Sequence, residues 1–184
     1  MMKRTLLLTI TNVLLFQVGW LVCILCGSLW AGAFTVTALA FHFVVYPQRL
    51  ADVIAVLLAV VIGLIHDSLL LHAGYIVFLE SVYFPPLWLV CLWALLGITL
   101  NHSLVWIYSR PLWSALLGAL AAPLSYMAGV KLSSAEWSSP LVDVVPIIAI
   151  LWLVVLPLHR LIGLRVLSYV QHKLAKLPAP DSAC

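Results

Sequence analysis

The chain is written as six apolar runs separated by short polar breaks, and that pattern decides what solvent it can fold in. The runs cover about residues 5–26, 29–45, 52–71, 87–107, 112–130 and 141–162. Each is close to the roughly 20 residues that a helix needs to cross a bilayer core. Hydrophobic residues make up 65% of the 184 and charged residues 8%, against about half and a quarter in a soluble domain. That leaves too little polar surface to cover the chain in water. In hydrocarbon every backbone N–H and C=O needs an internal partner, so only helices or closed barrels can span. The runs lack period-two alternation, which excludes a barrel. The expected fold is all-α: a polytopic membrane protein with six transmembrane helices over residues 1–162 and a basic cytoplasmic tail over residues 163–184.

Charge sets the orientation. Lys3, Arg4, Arg49, Arg110, Arg160, Arg165, Lys173 and Lys176 fall on one side of such a bundle and only Lys131 on the other. Positive charge stays on the cytoplasmic side, so both termini are expected there. Trp20, Trp30, Trp88 and Trp137 would then lie near the outer interface, with Trp106 and Trp113 near the inner one, where indoles concentrate. Basic residues at segment ends, with no clustered soluble face, exclude a nucleic-acid partner. Ala31-Gly32-Ala33 offers a signal-cleavage pattern, but the first run is longer than a signal h-region and another follows at once. It reads as a retained helix. In the tail, Leu164, Leu167, Val170 and Leu174 recur at helical spacing. This suits either an amphipathic helix on an anionic leaflet or a plain charged end; residues 178–184 read as disordered.

Ionisable residues inside a membrane segment are costly and mark candidate sites. His66 and Asp67, in Gly63-Leu-Ile-His-Asp-Ser68, fall in the outer third of the third run. Adjacent helical positions point about 100 degrees apart, so the two need not bond each other. Asp67 could orient a histidine, take a proton or bind a ligand; the structural alternative is satisfaction by Ser125, Tyr126 or a water. A deeper set, Thr99, Asn101, His102 and Ser103 with His42, could line a polar cavity or simply join helices. His42 and His102 form a conceivable bis-histidine pair, but no tight metal-ligand spacing appears, and no cofactor or metal is expected. Cys23, Cys26 and Cys91 lie within apolar runs. The outer loops contain no second cysteine pair to relay electrons, so these residues read as small apolar side chains. Ala115, Gly118, Ala119 and Ala122 give the fifth run a close-packing face. In the long outer loop, Tyr75, Phe78, Tyr83 and Phe84 suit an interface or a lid, with Glu80 facing headgroups or the cavity.

Four stretches resemble a small bacterial inner-membrane family catalogued as a domain of unknown function. They are Gly63-Leu-Ile-His-Asp-Ser-Leu-Leu-Leu-His-Ala-Gly74, Pro86-Leu-Trp-Leu-Val-Cys-Leu-Trp93, Thr99-Leu-Asn-His-Ser-Leu-Val-Trp106 and Leu117-Gly-Ala-Leu-Ala-Ala-Pro-Leu-Ser-Tyr-Met-Ala-Gly129. The resemblance implies a Gram-negative inner membrane and, through neighbouring fatty-acid-modifying genes, lipid; it brings no activity. The Gly-rich helix ending in Asp67-Ser-Leu-Leu is more loosely similar to one in the shape-determining protein MreD and in substrate-binding subunits of energy-coupling-factor transporters.

The function expected first is binding or transport of a small lipophilic ligand or lipid through an outer-facing polar cavity. Asp67, His66, Asn101, His102, Ser125 and Tyr126 would supply its contacts. A membrane-embedded lipid-modifying enzyme, with Asp67 and a histidine as acid and base, is the second reading. A scaffold for other membrane proteins is the third. Membrane lipids are the expected partners, with a membrane-protein partner for any active transport, since no ATP-binding loop is present.

Overall fold

The computed structural model describes residues 2–176, with side chains from Thr5 onward; the segment expected to be disordered, 178–184, lies outside them. The described chain is almost entirely helical: α1 (Met2–Val45), α2 (Arg49–His72), α3 (Leu87–Leu100), α4 (Val105–Tyr108), α5 (Pro111–Leu132) and α6 (Leu141–Leu174). Two three-residue strands, β1 (Ile76–Phe78) and β2 (Ala135–Trp137), pair antiparallel, with Val77 opposite Glu136.

α1 is folded back on itself. Gly27 has φ 76° and ψ 177°, a backbone state open to glycine and strained for other residues. Tyr46 Oη donates to the Leu8 carbonyl at 2.6 Å, whereas an unbroken helix would hold residues 38 positions apart about 57 Å from each other. The turn expected at Gly27-Ser28 is therefore the bend of a helical hairpin with arms 2–26 and 28–45. At that end Glu80 accepts from Ser28 Oγ at 2.9 Å and Ser134 Oγ at 3.0 Å. It staples the bend to the loops that carry the β ribbon. The chain reverses at the opposite end through residues 46–48 and 109–110, so the beginning of α1 and the end of α6 lie at one end.

Four helical segments are long and apolar enough to cross a membrane: Thr5–Val45, Arg49–His72, Pro111–Leu132 and Leu141–Leu174. Their apolar windows are mostly unburied, only 17% of the first lying inside the protein. Leu29, Val44, Leu57, Leu120 and Ile150 point outward and are more than half exposed. Large continuous apolar surfaces of this kind are rare on proteins that face water. α3 is the interior helix, with ten of its fourteen residues buried, as a helix apolar on every side should be.

Two details depart from the expected spans. The fourth run is not one helix: α3 stops at Leu100, turns through residues 101–104, and resumes as the single turn of α4. The sixth continues without a break to Leu174, so the basic tail begins as part of α6. The long apolar loop between α2 and α3 divides its aromatics. Phe78 is buried, while Tyr83 and Phe84 are exposed.

Candidate functional site

The buried face of α2 is Asp52, Ala55, Val56, Ala59, Gly63, His66, Asp67 and Leu70, the three-and-four spacing of one helical stripe. Small residues on it admit α3 closely. A methyl at Gly97 would stand 2.6 Å from Val56 Cα, and one at Gly63 would fall inside the Trp93 ring. This explains the Gly63-Leu-Ile-His-Asp67 spacing: glycine leaves a slot for the indole, and one turn on, the carboxylate receives its N–H.

Asp67 is 1% exposed and saturated by donors. Its Oδ2 accepts from Trp93 Nε1 at 2.7 Å; its Oδ1 meets His66 Nδ1 at 2.8 Å and accepts a very short bond from Tyr126 Oη. His66 and Asp67 therefore bond each other, and Tyr126 is a partner as anticipated. Ser125 is not: it accepts from Trp20 Nε1 at 3.1 Å and joins α5 to the first arm of α1.

Asn101 and His102 belong to a different cluster, centred on Asp52. Asp52 Oδ2 meets His42 Nε2 at 3.0 Å and His102 Nε2 at 2.8 Å, and Oδ1 accepts from Asn101 Nδ2 at 3.0 Å. Tyr46 stacks on His42 with ring centroids 4.4 Å apart and packs on His102 at 4.5 Å. Asp52 and Asp67 are fifteen positions apart on one helix, about 22 Å along its axis, so the two polar sets do not share one cavity. Asp52 went unremarked in the sequence because it sits just after Arg49, where an acidic first-turn residue reads as an ordinary helix start.

The break after α3 makes the second cluster possible. Interrupting a helix frees backbone groups that need new partners. The fully buried Asn12 supplies them, donating to the Ile98 carbonyl at 3.1 Å and accepting from Ser103 N at 3.3 Å and Ser103 Oγ at 2.6 Å. Asn101 and His102, between these two anchors, leave helical register and reach Asp52. His159 forms a third contact set. Its Nε2 donates to the Ala55 carbonyl at 3.0 Å, leaving Nδ1 to accept from Tyr108 Oη at 2.7 Å, which ties α6 to α2 and α4. The cost of an ionisable group in an apolar run could have marked His159, but beside Arg160 at the basic end of its run it read as part of the flank.

A cavity of about 270 Å³ runs between α1, α3, α5 and α6. Along α3 its lining is Trp88, Leu89, Leu92, Trp93, Leu96 and Leu100, a stripe about 18 Å long. Ile76, Phe78 and Ala135 of the β ribbon roof one end, and Ile107 and Tyr108 close the other. The walls are apolar except for Ser125, Tyr126 and Tyr108 hydroxyls and indole edges. Asp67 and His66 do not line it; they stand behind Trp93 and Tyr126, which do. Trp152 also lines the wall, stacked on Trp93 at 5.3 Å. Its indole N–H and His66 Nε2 are buried without a hydrogen-bond partner among the described residues.

A bundle of long apolar helices enclosing an apolar cavity, braced by buried carboxylates, defines the class of this chain. Residues 9–158 match the family described as a protein of unknown function (DUF2878), and the chain belongs to that family. The matched segment contains Asn12, Asp52 and Asp67 with their side-chain partners. No curated protein and no solved structure gives a significant match.

Proposed function

We propose that the chain is a six-span protein of a bacterial inner membrane, with both termini cytoplasmic, that binds an elongated lipophilic molecule in its central cavity. The two arms of α1, α2, α3 with α4, α5 and α6 account for six crossings. The apolar outward faces support lipid as their solvent. The orientation rests on charge: Arg49, Arg110 and Arg165 stand at the end where α1 begins and α6 finishes, and Lys131 at the other.

The shape of the cavity carries the ligand reading. A space near the lower end of the size range of ligand pockets, stretched over about 18 Å, fits a chain such as an acyl or prenyl group better than a compact solute. Tyr126, Ser125 and the unpartnered Trp152 N–H would meet a polar head or carbonyl on such a molecule. Asp67 serves this site from behind, fixing Trp93 and Tyr126. Transport, if the protein performs it, uses the same cavity and requires a partner or an ion gradient.

Ala121 lies exposed on the cavity wall, so Ala121→Phe should fill the space without disturbing helix packing. Native mass spectrometry of gently extracted protein should find a lipophilic molecule at one per chain. Occupancy in Ala121→Phe should fall by about tenfold, equivalent to roughly 1.4 kcal/mol. A wild-type protein that extracts empty and takes up no added fatty acid or isoprenoid would sink the reading.

A further inference from the structure

We infer that His42, Asp52 and His102 form a binding site for a divalent first-row transition ion, distinct from the lipophilic cavity. Three different elements deliver the ligands: the end of α1, the first turn of α2 and the break between α3 and α4. One ligand atom from each, His42 Nε2, His102 Nε2 and a carboxylate oxygen of Asp52, lies within 4.8 Å of the other two. In a four-coordinate site with bonds of 2.0–2.2 Å, adjacent ligand atoms stand about 3.3 Å apart. The observed nitrogen–oxygen separations of 3.0 and 2.8 Å need a few tenths of an ångström of opening, and the two imidazole nitrogens, within 4.8 Å of each other, close toward the same spacing. Two imidazoles and one carboxylate suit zinc, iron or cobalt rather than calcium or magnesium, and leave a coordination position free for water or a substrate atom.

Two observations favour an ion over a hydrogen-bonded cluster alone. Asp52 is held by two imidazoles and one amide, and among the described residues it makes no ion pair with Lys or Arg; a permanent counter-charge is what a divalent ion adds to a buried carboxylate. Second, Asn101 holds the second carboxylate oxygen, and such contacts orient a metal ligand. His42 Nδ1 has no partner among the described residues, so loading the site moves the His42 ring hydrogen from Nε2, where Asp52 now accepts it, to Nδ1. The Asp67 cluster offers a contrast. It has one histidine, and its other donors are an indole and a phenol, a poor ligand set. His102 is 12% exposed where His42 is closed off, which marks the side from which an ion enters.

The test uses the full chain, stripped with a chelator and titrated with Co²⁺, read by elemental analysis and by the visible d–d spectrum, with Zn²⁺ as competitor. The expected result is one saturable Co²⁺ per chain with a spectrum of low-coordinate nitrogen–oxygen ligation, displaced by Zn²⁺. His102→Gln keeps a hydrogen-bond donor for Asp52, so it should fold and yet lose saturable uptake. Asn101→Ala should weaken binding by about 10- to 100-fold. His72→Ala, an exposed histidine elsewhere, should bind as wild type does. The inference is overturned if folded wild-type protein takes up well under one equivalent. It is equally overturned if His102→Gln and wild type bind alike, since the ion then sits elsewhere.

Discussion

Asp67→Ala is expected to lower the thermal midpoint of the purified protein by roughly 5 to 20 °C. The substitution removes the acceptor of the Trp93 indole, the Tyr126 hydroxyl and His66 Nδ1. Tyr126 and His66 stand 3.1 Å apart and can share one bond, which still strands either the phenol hydrogen or a ring hydrogen moved to the unpartnered His66 Nε2, so the indole and one further donor lose an acceptor. Each stranded buried donor costs about 1–3 kcal/mol, which gives a loss of about 2–6 kcal/mol. For a chain of this size each kcal/mol moves the midpoint by about 2–4 °C. Asp67→Asn should fall between the two, because its amide carbonyl still accepts from one donor. Light-scattering or fluorescence melts in one detergent would check the order. A midpoint for Asp67→Ala within a degree or two of wild type would remove this carboxylate from the account of what holds the cavity wall.

Gly63→Leu is expected to be at least as damaging, for a steric reason. Even a methyl at this position would overlap the Trp93 ring, and the indole has little room to yield, being stacked on Trp152 at an interplanar angle of 19°. Overpacking costs about 1–3 kcal/mol where the surroundings can adjust; here the shift would also break the Trp93–Asp67 bond. The effect should be specific to the pair. Adding Trp93→Ala to Gly63→Leu should recover part of the lost stability, a non-additivity of the kind seen between residues in contact. Strictly additive losses in that cycle would mean that the indole is not what the glycine accommodates.

The helical class was legible because hydrophobic runs of spanning length permit few other folds, and the turn at Gly27-Ser28 was legible because only two residues separate two such runs. Asp67 and His66 stood out through the cost of an ionisable group in an apolar run, and Tyr126 was within reach of the same reasoning. What stayed hidden depends on long-range pairing. Asn12 and Ser103 are 91 positions apart, and nothing local in either marks a helix interruption that the two hold together. The interruption itself, at Asn101-His102-Ser103, carries no proline or glycine to announce it. Asp52 was concealed differently, by sitting where a helix start ordinarily tolerates an acid. A polar, outer-facing cavity was expected, and the apolar one found in its place could not be foreseen. Its walls are leucine, isoleucine and tryptophan, the same residue types that face outward elsewhere, so composition cannot separate lining from exterior.

The stacked indoles of Trp93 and Trp152 have a further consequence. Two parallel chromophores at 5.3 Å couple their transitions, and both belong to the cavity wall. The near-ultraviolet optical activity of the protein therefore carries a contribution set by the geometry of the space between α3 and α6. A molecule entering that space alters the light-absorbing pair directly, so occupancy is written into a signal the polypeptide produces without any label.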